Sequence, residues 1–322
     1  MLQVKDLSVT YRARRGPGVA AVRGVDFEIP DSTFVGLVGE SGCGKSTLGF
    51  AIAALLDERR NTVRGHVLLD GVDLYQLSPD QLRALRWSKL SVVLQGGMNA
   101  FNPVLRLKHQ FMDVMKAHAK LSKAEMTKRI AQLLAAVELD PAVMESYPHE
   151  LSGGMKQRAA IALALVLEPR LVILDEPTTA LDVVVQRSIV TMLSQLQHRL
   201  RFSVLFVSHD LGLVLEVAQR VMVMYAGQIV EDKPADLIID EAHHPYTKAL
   251  LGCYANPRAT RVSLTGIPGT PPDLREHLHG CPFAPRCTQR MDICQTEAPR
   301  LLPLKDGSVA CHLYTHKEVP AR

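Results

Sequence analysis

The 322 residues, 47% of them hydrophobic, can bury a large core in one domain or two modest ones. The 37 basic and 33 acidic side chains leave a net charge of +4 with no long basic run, which argues for a mixed solvated surface and against nucleic acid as a partner. No apolar stretch approaches the roughly 18 residues that span a bilayer, and the opening Met-Leu-Gln-Val-Lys-Asp lacks the charged, apolar, small-residue order of a leader. The expectation is a cytosolic chain whose membrane role, if any, comes through a partner.

Apolar Leu2, Val4, Leu7 and Val9 recur over residues 2–10, and a similar pattern fills Val19–Ile29 beyond the Arg-Arg-Gly-Pro-Gly turn at 14–18. The two read as antiparallel strands. Tyr11 closes the first, either as ordinary strand-end packing or as a platform on which a base stacks. Residues 34–48 then run from an apolar strand into a glycine-rich turn ending in Lys45-Ser46-Thr47. Gly39, Gly42 and Gly44 let the backbone turn tightly and aim its N–H groups inward, and the next helix adds its positive N-terminal end, so the loop cradles phosphate. Lys45 reaches the outer phosphates and the Ser46 hydroxyl is placed to ligate Mg²⁺. The full G-x-x-x-x-G-K-[ST] spacing stands after a strand and before the helical Leu48–Leu56 pattern, the context in which it binds a nucleoside triphosphate.

Gly65–Leu69 reads as a strand leading to the turn Asp70-Gly71, Ser78-Pro79-Asp80 as a helix start, and Leu90–Leu94 as a buried strand that stops at Gln95. From about Leu107 to Leu139, apolar residues recur at three and four, as at Ile130, Leu133, Leu134 and Val137, which predicts a helical insert. Leu151-Ser152-Gly153-Gly154 opens another helix through Leu167. Leu171–Leu174 deliver Asp175 and Glu176 at a strand's end, where ligands gather in open α/β sheets. A helix over Val183–Leu200 leads to a strand over Ser203–Val207 and then to Ser208-His209-Asp210. Short strands at Val221–Met224 and Gln228–Glu231 finish the core, and beyond about residue 240 many prolines suggest a domain boundary near 240 to 260. No internal repeat is visible, so the chain carries one nucleotide-binding unit.

Hydrolysis of a phosphoanhydride needs neutralised phosphates, an in-line water and a group that orients or deprotonates that water. Asp175 is the expected second Mg²⁺ ligand and Glu176 the expected base, the alternative being a solvated surface pair. His209 suits a hydrogen bond to a γ-phosphate, although a histidine at a strand end is also an ordinary structural residue. Ser152-Gly153-Gly154 at a helix start is a second phosphate-binding terminus, and one site has no room for two such ends on one γ-phosphate. The economical solution is a dimer in which each chain's Ser-Gly-Gly caps the nucleotide held by the other.

These motifs together resemble the nucleotide-binding subunits of ABC transporters over about residues 1–255, with a helical subdomain at about 100–165. The resemblance implies an α/β P-loop ATPase core with an antiparallel β subdomain. It makes Gly39, Ser41, Gly42, Cys43, Gly44, Lys45, Ser46 and Thr47 part of the Walker A loop, Asp175 the end of Walker B and Glu176 the catalytic base. It makes Gln95 the Q-loop glutamine that senses Mg²⁺, water and the membrane partner, Ser152–Gly154 the signature motif and Asp182 part of the D-loop. By the same resemblance His209 is the switch histidine and Tyr11 the adenine-stacking aromatic. Met155 stands where the family pattern has Gln, and Gly96-Gly97 where an acidic residue and Pro are usual.

Of six cysteines, Cys43 lies in the phosphate loop, Cys253 is isolated, and Cys281, Cys287, Cys294 and Cys311 share the tail. In a reducing compartment such a cluster reads as a metal or cluster site before disulfides. His-Pro-Tyr-Thr at 244–247 and Gly-Cys-Pro-Phe-Ala-Pro-Arg-Cys at 280–287 resemble the oligopeptide, dipeptide and nickel importer subfamily, which makes 256–322 its C-terminal extension. The resemblance implies a four-iron four-sulfur (4Fe-4S) cluster on the four thiols, with Zn²⁺ or free thiols as rivals. It also implies a second, paralogous ATPase subunit, two permeases, an extracytoplasmic solute-binding protein acting indirectly, and a place on the cytoplasmic face of the cell membrane. Two other readings remain on the motifs alone: a soluble ABC-type ATPase acting on ribosomes or DNA, and a P-loop kinase, which gives no account of Ser152–Gly154.

Overall fold

The computed structural model describes residues 1–13, 16–96, 100–253 and 266–315. Strands β1 (Leu2–Tyr11), β2 (Val19–Ile29) and β3 (Phe34–Val38) precede α1 (Lys45–Ile52); β4 (Asn61–Leu69), β5 (Val72–Asp73), α2 (Pro79–Leu85) and β6 (Leu90–Val93) follow. Next come α3 (Leu107–His118), α4 (Lys123–Ala136), α5 (Gly153–Ala164), β7 (Leu171–Asp175), α6 (Val183–Leu200) and β8 (Ser203–Ser208). The remainder holds α7 (Leu211–Leu215), β9 (Arg220–Tyr225), β10 (Gln228–Pro234), α8 (Ala235–Glu241), α9 (Pro245–Gly252), α10 (Ile293–Thr296), β11 (Leu302–Leu304) and β12 (Gly307–Val309).

The chain forms two compact units, one from Met1–Glu28, Val35–Asp73 and Val207–Arg322, the other from Ile29–Phe34 and Leu74–Phe206. In the first, β2, β1, β4 and β5 lie side by side, with β1 and β4 antiparallel from Leu2 opposite Leu69 to Tyr11 opposite Asn61. The residues that recur in the sequence, Leu2, Val4, Leu7 and Val9, are all buried, and a register shift between Lys5 and Ser8 lets Leu7 join that face.

A second sheet in this unit runs β11-β12-β10-β9-β3. Strand β3 is parallel to β9, Val35 opposite Arg220 and Val38 opposite Val223, and every residue of β3 is buried. That matches the all-apolar character of a parallel central strand. Strands β10 and β12 pair antiparallel through Glu231 with Val309 and Asp232 with Ser308, so the tail contributes a hairpin to the sheet's edge. The 255/256 boundary expected from the sequence falls at residues outside the described ones; the described tail belongs to the first unit.

In the second unit β7 lies between β8 and β6, parallel to β6 from Leu90 opposite Leu171 to Val93 opposite Leu174. The helical insert is two helices, α3 and α4, split near Ala119–Leu121. Helix α4 starts at a capping box in which the Ser122 hydroxyl accepts from the Glu125 N–H and the Glu125 carboxylate accepts from the Ser122 N–H. Phe111, Met115, Ile130 and Leu134 are fully buried, the three-and-four spacing turned into one apolar stripe on each helix.

Candidate nucleotide-binding and hydrolytic site

Strand β3 ends at Val38 and the chain turns through Gly39–Gly44 into α1, the strand-turn-helix order the motif requires. Two glycines there admit no side chain. A Cβ on Gly39 would meet the Met224 carbonyl oxygen at 2.2 Å, and one on Gly44, which caps α1 at φ 107°, would meet the Ala21 carbonyl oxygen at 2.1 Å. The loop is thereby packed against β2 and β9. The Gly227 N–H donates to the Cys43 carbonyl at 2.8 Å and ties it to the β9–β10 turn as well.

Lys45 is buried at the start of α1, and its Nζ donates to the carbonyls of Gly39 at 2.8 Å and Glu40 at 3.0 Å. The ammonium therefore lies across the mouth of the turn, where phosphate charge would be neutralised. Ser41 and Gly42 are exposed at the tip, whereas Cys43 is buried, and burial above all raises its thiol's pKa, so it packs as a small apolar group. Tyr11 and Thr47 share a hydrogen bond of 2.9 Å, which brings the aromatic at the end of β1 to the first turn of α1. Ser46 stands between Lys45 and Thr47 on that turn. His209 is exposed directly after β8, and Asp210 caps α7, its Oδ1 accepting the Leu213 N–H at 3.1 Å.

In the second unit all of β7 is buried and Asp175 is its last residue. Glu176 follows with φ 45°, a left-handed conformation uncommon outside glycine that turns the chain sharply off the strand. Its Oε2 accepts from Gln95 Nε2 at 3.0 Å and from Thr179 Oγ1 at 3.0 Å. Gln95 and Glu176, taken as sensor and base, thus meet side chain to side chain. The pairing of Thr179 with Glu176 is a contact that sequence reasoning missed, although the three-residue spacing of a turn offered a signal for it.

Ser152 caps α5, its Oγ accepting from the Met155 N–H at 3.3 Å, with Gly153 and Gly154 in the first turn. A Cβ on Gly154 would come within 2.8 Å of Val185 Cγ1, so α6 approaches α5 closely there. Asp182 caps α6 through the Val185 N–H at 3.0 Å. Met155 leaves the Ser152 cap intact. Of the other departure, Gly96 has φ 71°, and Gly97 lies outside the described residues.

The donors proposed for Mg²⁺ are the Ser46 hydroxyl, the Asp175 carboxylate and the Gln95 amide oxygen, the hard-oxygen set that ion takes, so the residue types fit. The tail differs. Cys281, Cys287, Cys294 and Cys311 are near enough for charge on one to bear on the others; the Cys281 thiol is pushed up to about 11, chiefly by burial and further by the other three. Yet among the described residues no three or more His, Cys, Asp or Glu side chains are arranged to hold a metal ion. The expectation of iron-sulfur or zinc is not carried by this geometry, because the four thiols do not form a preformed cage.

A glycine-rich turn carrying a buried lysine between strand and helix, and a strand-end acid pair whose Glu176 accepts from a glutamine, are the features of a P-loop ATPase. Comparison narrows the class. A family model described as ABC transporter matches residues 22–179, and one described as oligopeptide/dipeptide transporter, C-terminal region, matches 230–294. The chain is 38% identical over 317 residues to the dipeptide transport ATP-binding protein DppD of Caldanaerobacter subterraneus, covering 98% of this chain and 97% of that one. It is 41% identical over 302 residues to Bacillus subtilis DppD, covering 93% and 90%. With the Salmonella typhimurium oligopeptide transport ATP-binding protein OppD it shares 38% over 301 residues, covering 93% and 89%. The dimeric bacterial ABC transporter cassette MJ0796 superposes with a TM-score of 0.65 at 29% identity, covering 73% of this chain and 99% of that one. A post-hydrolysis MJ0796 dimer bound to ADP and Pi gives the same TM-score at 28% identity and the same coverage. The chain belongs to the ABC transporter ATP-binding family.

Proposed function

We propose that this protein is the ATP-hydrolysing motor subunit of an ABC importer for peptides or a related small solute, a short oligosaccharide or a metal chelate. The observation that carries the reading is Gln95 and Thr179 donating together to the Glu176 carboxylate, which holds a general base in one orientation at the end of a buried strand. Relatives named as dipeptide and oligopeptide transport ATP-binding proteins, matched over nearly their whole length, support the peptide class.

In this reading the Gly39–Thr47 turn and Lys45 bind the triphosphate, and Tyr11 supports the adenine. Mg²⁺, for which Ser46, Asp175 and Gln95 are the proposed donors, would draw charge from the phosphate oxygens. Glu176 orients a water and takes its proton as the water oxygen attacks the γ-phosphorus in line, so that ADP leaves with the bridging oxygen. His209 donates to the γ-phosphate oxygens. Ser152, Gly153 and Gly154, at the start of α5, cap the nucleotide of a partner subunit.

The partners follow: a second ATPase, paralogous or identical, two permeases, and a solute-binding protein that acts on the permeases. Val183 and Val184, at the start of α6, are 69% and 78% exposed beside the Asp182 turn, apolar surface suited to a facing subunit. Val104, 75% exposed, with Leu94 and Leu105 also exposed, offers apolar surface in the segment that would meet the permeases. No helix among the described residues is long and apolar enough to cross a membrane, so attachment to the cytoplasmic face would rest on those permeases.

For the tail, a cysteine-ligated cluster stays a proposal that rests on the four thiols being near enough for charge on one to bear on the others, without a preformed cage. Expression with the genes beside it tests the main reading. Coelution with two polytopic permeases and peptide uptake dependent on ATP are expected; recovery of the chain on ribosomes, without permeases, would refute it.

A further inference from the structure

We propose that Arg286, in the cysteine-bearing tail, is a positioning residue for nucleotide binding that clamps the phosphate loop through Glu40. This rests on the reading that residues 39–47 hold the phosphates of ATP.

Arg286 is 8% exposed, and its guanidinium meets the Glu40 carboxylate with both terminal nitrogens, Nη1 to Oε2 at 2.6 Å and Nη2 to Oε1 at 2.9 Å. This paired-fork arrangement fixes direction as well as distance. The Arg286 Nε donates to the Pro268 carbonyl at 2.8 Å and Nη1 to the Tyr225 hydroxyl at 3.2 Å, so the fork is itself held. Its carbon lies 5.8 Å from the Tyr225 ring centre and 5.9 Å from that of Phe283.

Glu40 is the residue after Gly39, inside the turn. Its side chain is held by Arg286, its N–H donates to the Tyr246 hydroxyl at 2.8 Å, and its carbonyl accepts from Lys45 at 3.0 Å. The last contact joins the clamp to the lysine that meets the phosphates. On the tail side Arg286 closes a short turn, its N–H donating to the Phe283 carbonyl at 2.9 Å, between Cys281 and Cys287. Cys281 is anchored in turn, its N–H donating to the Cys294 carbonyl at 2.8 Å. The chain thus runs from the cysteines through Arg286 and Glu40 to Lys45. A tail 246 residues away in sequence sets the shape of the turn that receives ATP.

The full-length chain is tested by equilibrium binding of a fluorescent ATP analogue, with thermal melting in parallel. Glu40→Gln and Arg286→Gln are each expected to weaken binding about tenfold, as loss of a charge-assisted hydrogen-bonded pair predicts. The double variant should bind no more weakly than either single one, Arg286→Lys should recover part of the loss, and kcat at saturating ATP in the assembled transporter should hold. A lower melting temperature with the dissociation constant within twofold of the parent's would overturn the proposal, as would additive effects in the double variant. Should Arg286→Gln fail to fold, Glu40→Gln and Arg286→Lys decide by the same criteria. Lys45→Ala separates the clamp from the underlying reading. If it too binds ATP normally, the phosphate-loop reading falls and the clamp with it; if it alone loses binding, only the clamp falls.

Discussion

The Gln95 side-chain amide donates to Glu176 Oε2 at 3.0 Å, joining the second residue beyond β6 to the residue directly after its parallel neighbour β7. The two strands pair in parallel from Leu90 opposite Leu171 to Val93 opposite Leu174, so the contact ties the segments that leave their carboxyl ends. In the proposed motor, a signal arriving at Gln95 would reach Glu176 through one hydrogen bond.

Thr179 donates to the same oxygen. Thr179→Val should lower kcat for ATP about fivefold with KM unchanged, because the base keeps its charge and loses one orienting donor. Steady-state ATPase assays of the assembled transporter check this; a raised KM at unchanged kcat would assign the threonine to binding.

Glu176→Gln keeps an oxygen that accepts from Gln95 and Thr179 but cannot take a proton. Turnover should fall by about 10²–10⁴-fold while ATP still binds, trapping the closed dimer. Size-exclusion chromatography with and without ATP reads the trapping, and parental turnover would remove Glu176 from the role of base.

Lys45→Ala leaves the carbonyls of Gly39 and Glu40 without their shared donor and the phosphates without a cation. ATP affinity should drop by about tenfold or more, measured by calorimetric titration.

His244 is buried, its Nδ1 accepts from the Tyr246 N–H at 3.0 Å, and burial lowers its pKa to about 3. The folded state therefore keeps the ring neutral where the unfolded chain, near 6.5, takes up a proton. Its contribution is fully present above about pH 6.5 and is lost as the pH falls from there toward about 3, so unfolding is favoured across that window. His244→Asn should flatten the fall in urea midpoint between about pH 7 and pH 5 relative to the parent; parallel pH profiles would show that His244 does not drive it.

Anaerobically purified protein should absorb broadly at about 400 nm, and Cys281→Ser should abolish the band. Zinc by elemental analysis with no such band would reject iron, and neither metal would leave four thiols.

The glycine-rich turn was legible because a tight strand-to-helix turn packed against other backbone demands glycine at fixed places, and Gly39 and Gly44, where no Cβ fits, bear out that part of the motif. The central strands were legible because Leu171–Leu174 and Phe34–Val38 are apolar on both faces. Strands β11 and β12 were not, since three residues each are too few to show a period of two. The helix over Pro245–Gly252 starts with His244 as its cap, a residue type that rarely signals one. Arg286 with Glu40 escaped as well: no local pattern encodes a partner so far along the chain.

The hairpin of β11 and β12 covers the outer side of β10, whose Ile229, Val230, Glu231, Asp232 and Lys233 are all buried. Cutting the chain just past α9 would bare a strand with open backbone donors and acceptors and strip water-avoiding side chains of their shelter. Such an amputated protein should stick to copies of itself, and its failure in assays of turnover would then reflect clumping before any loss of chemistry.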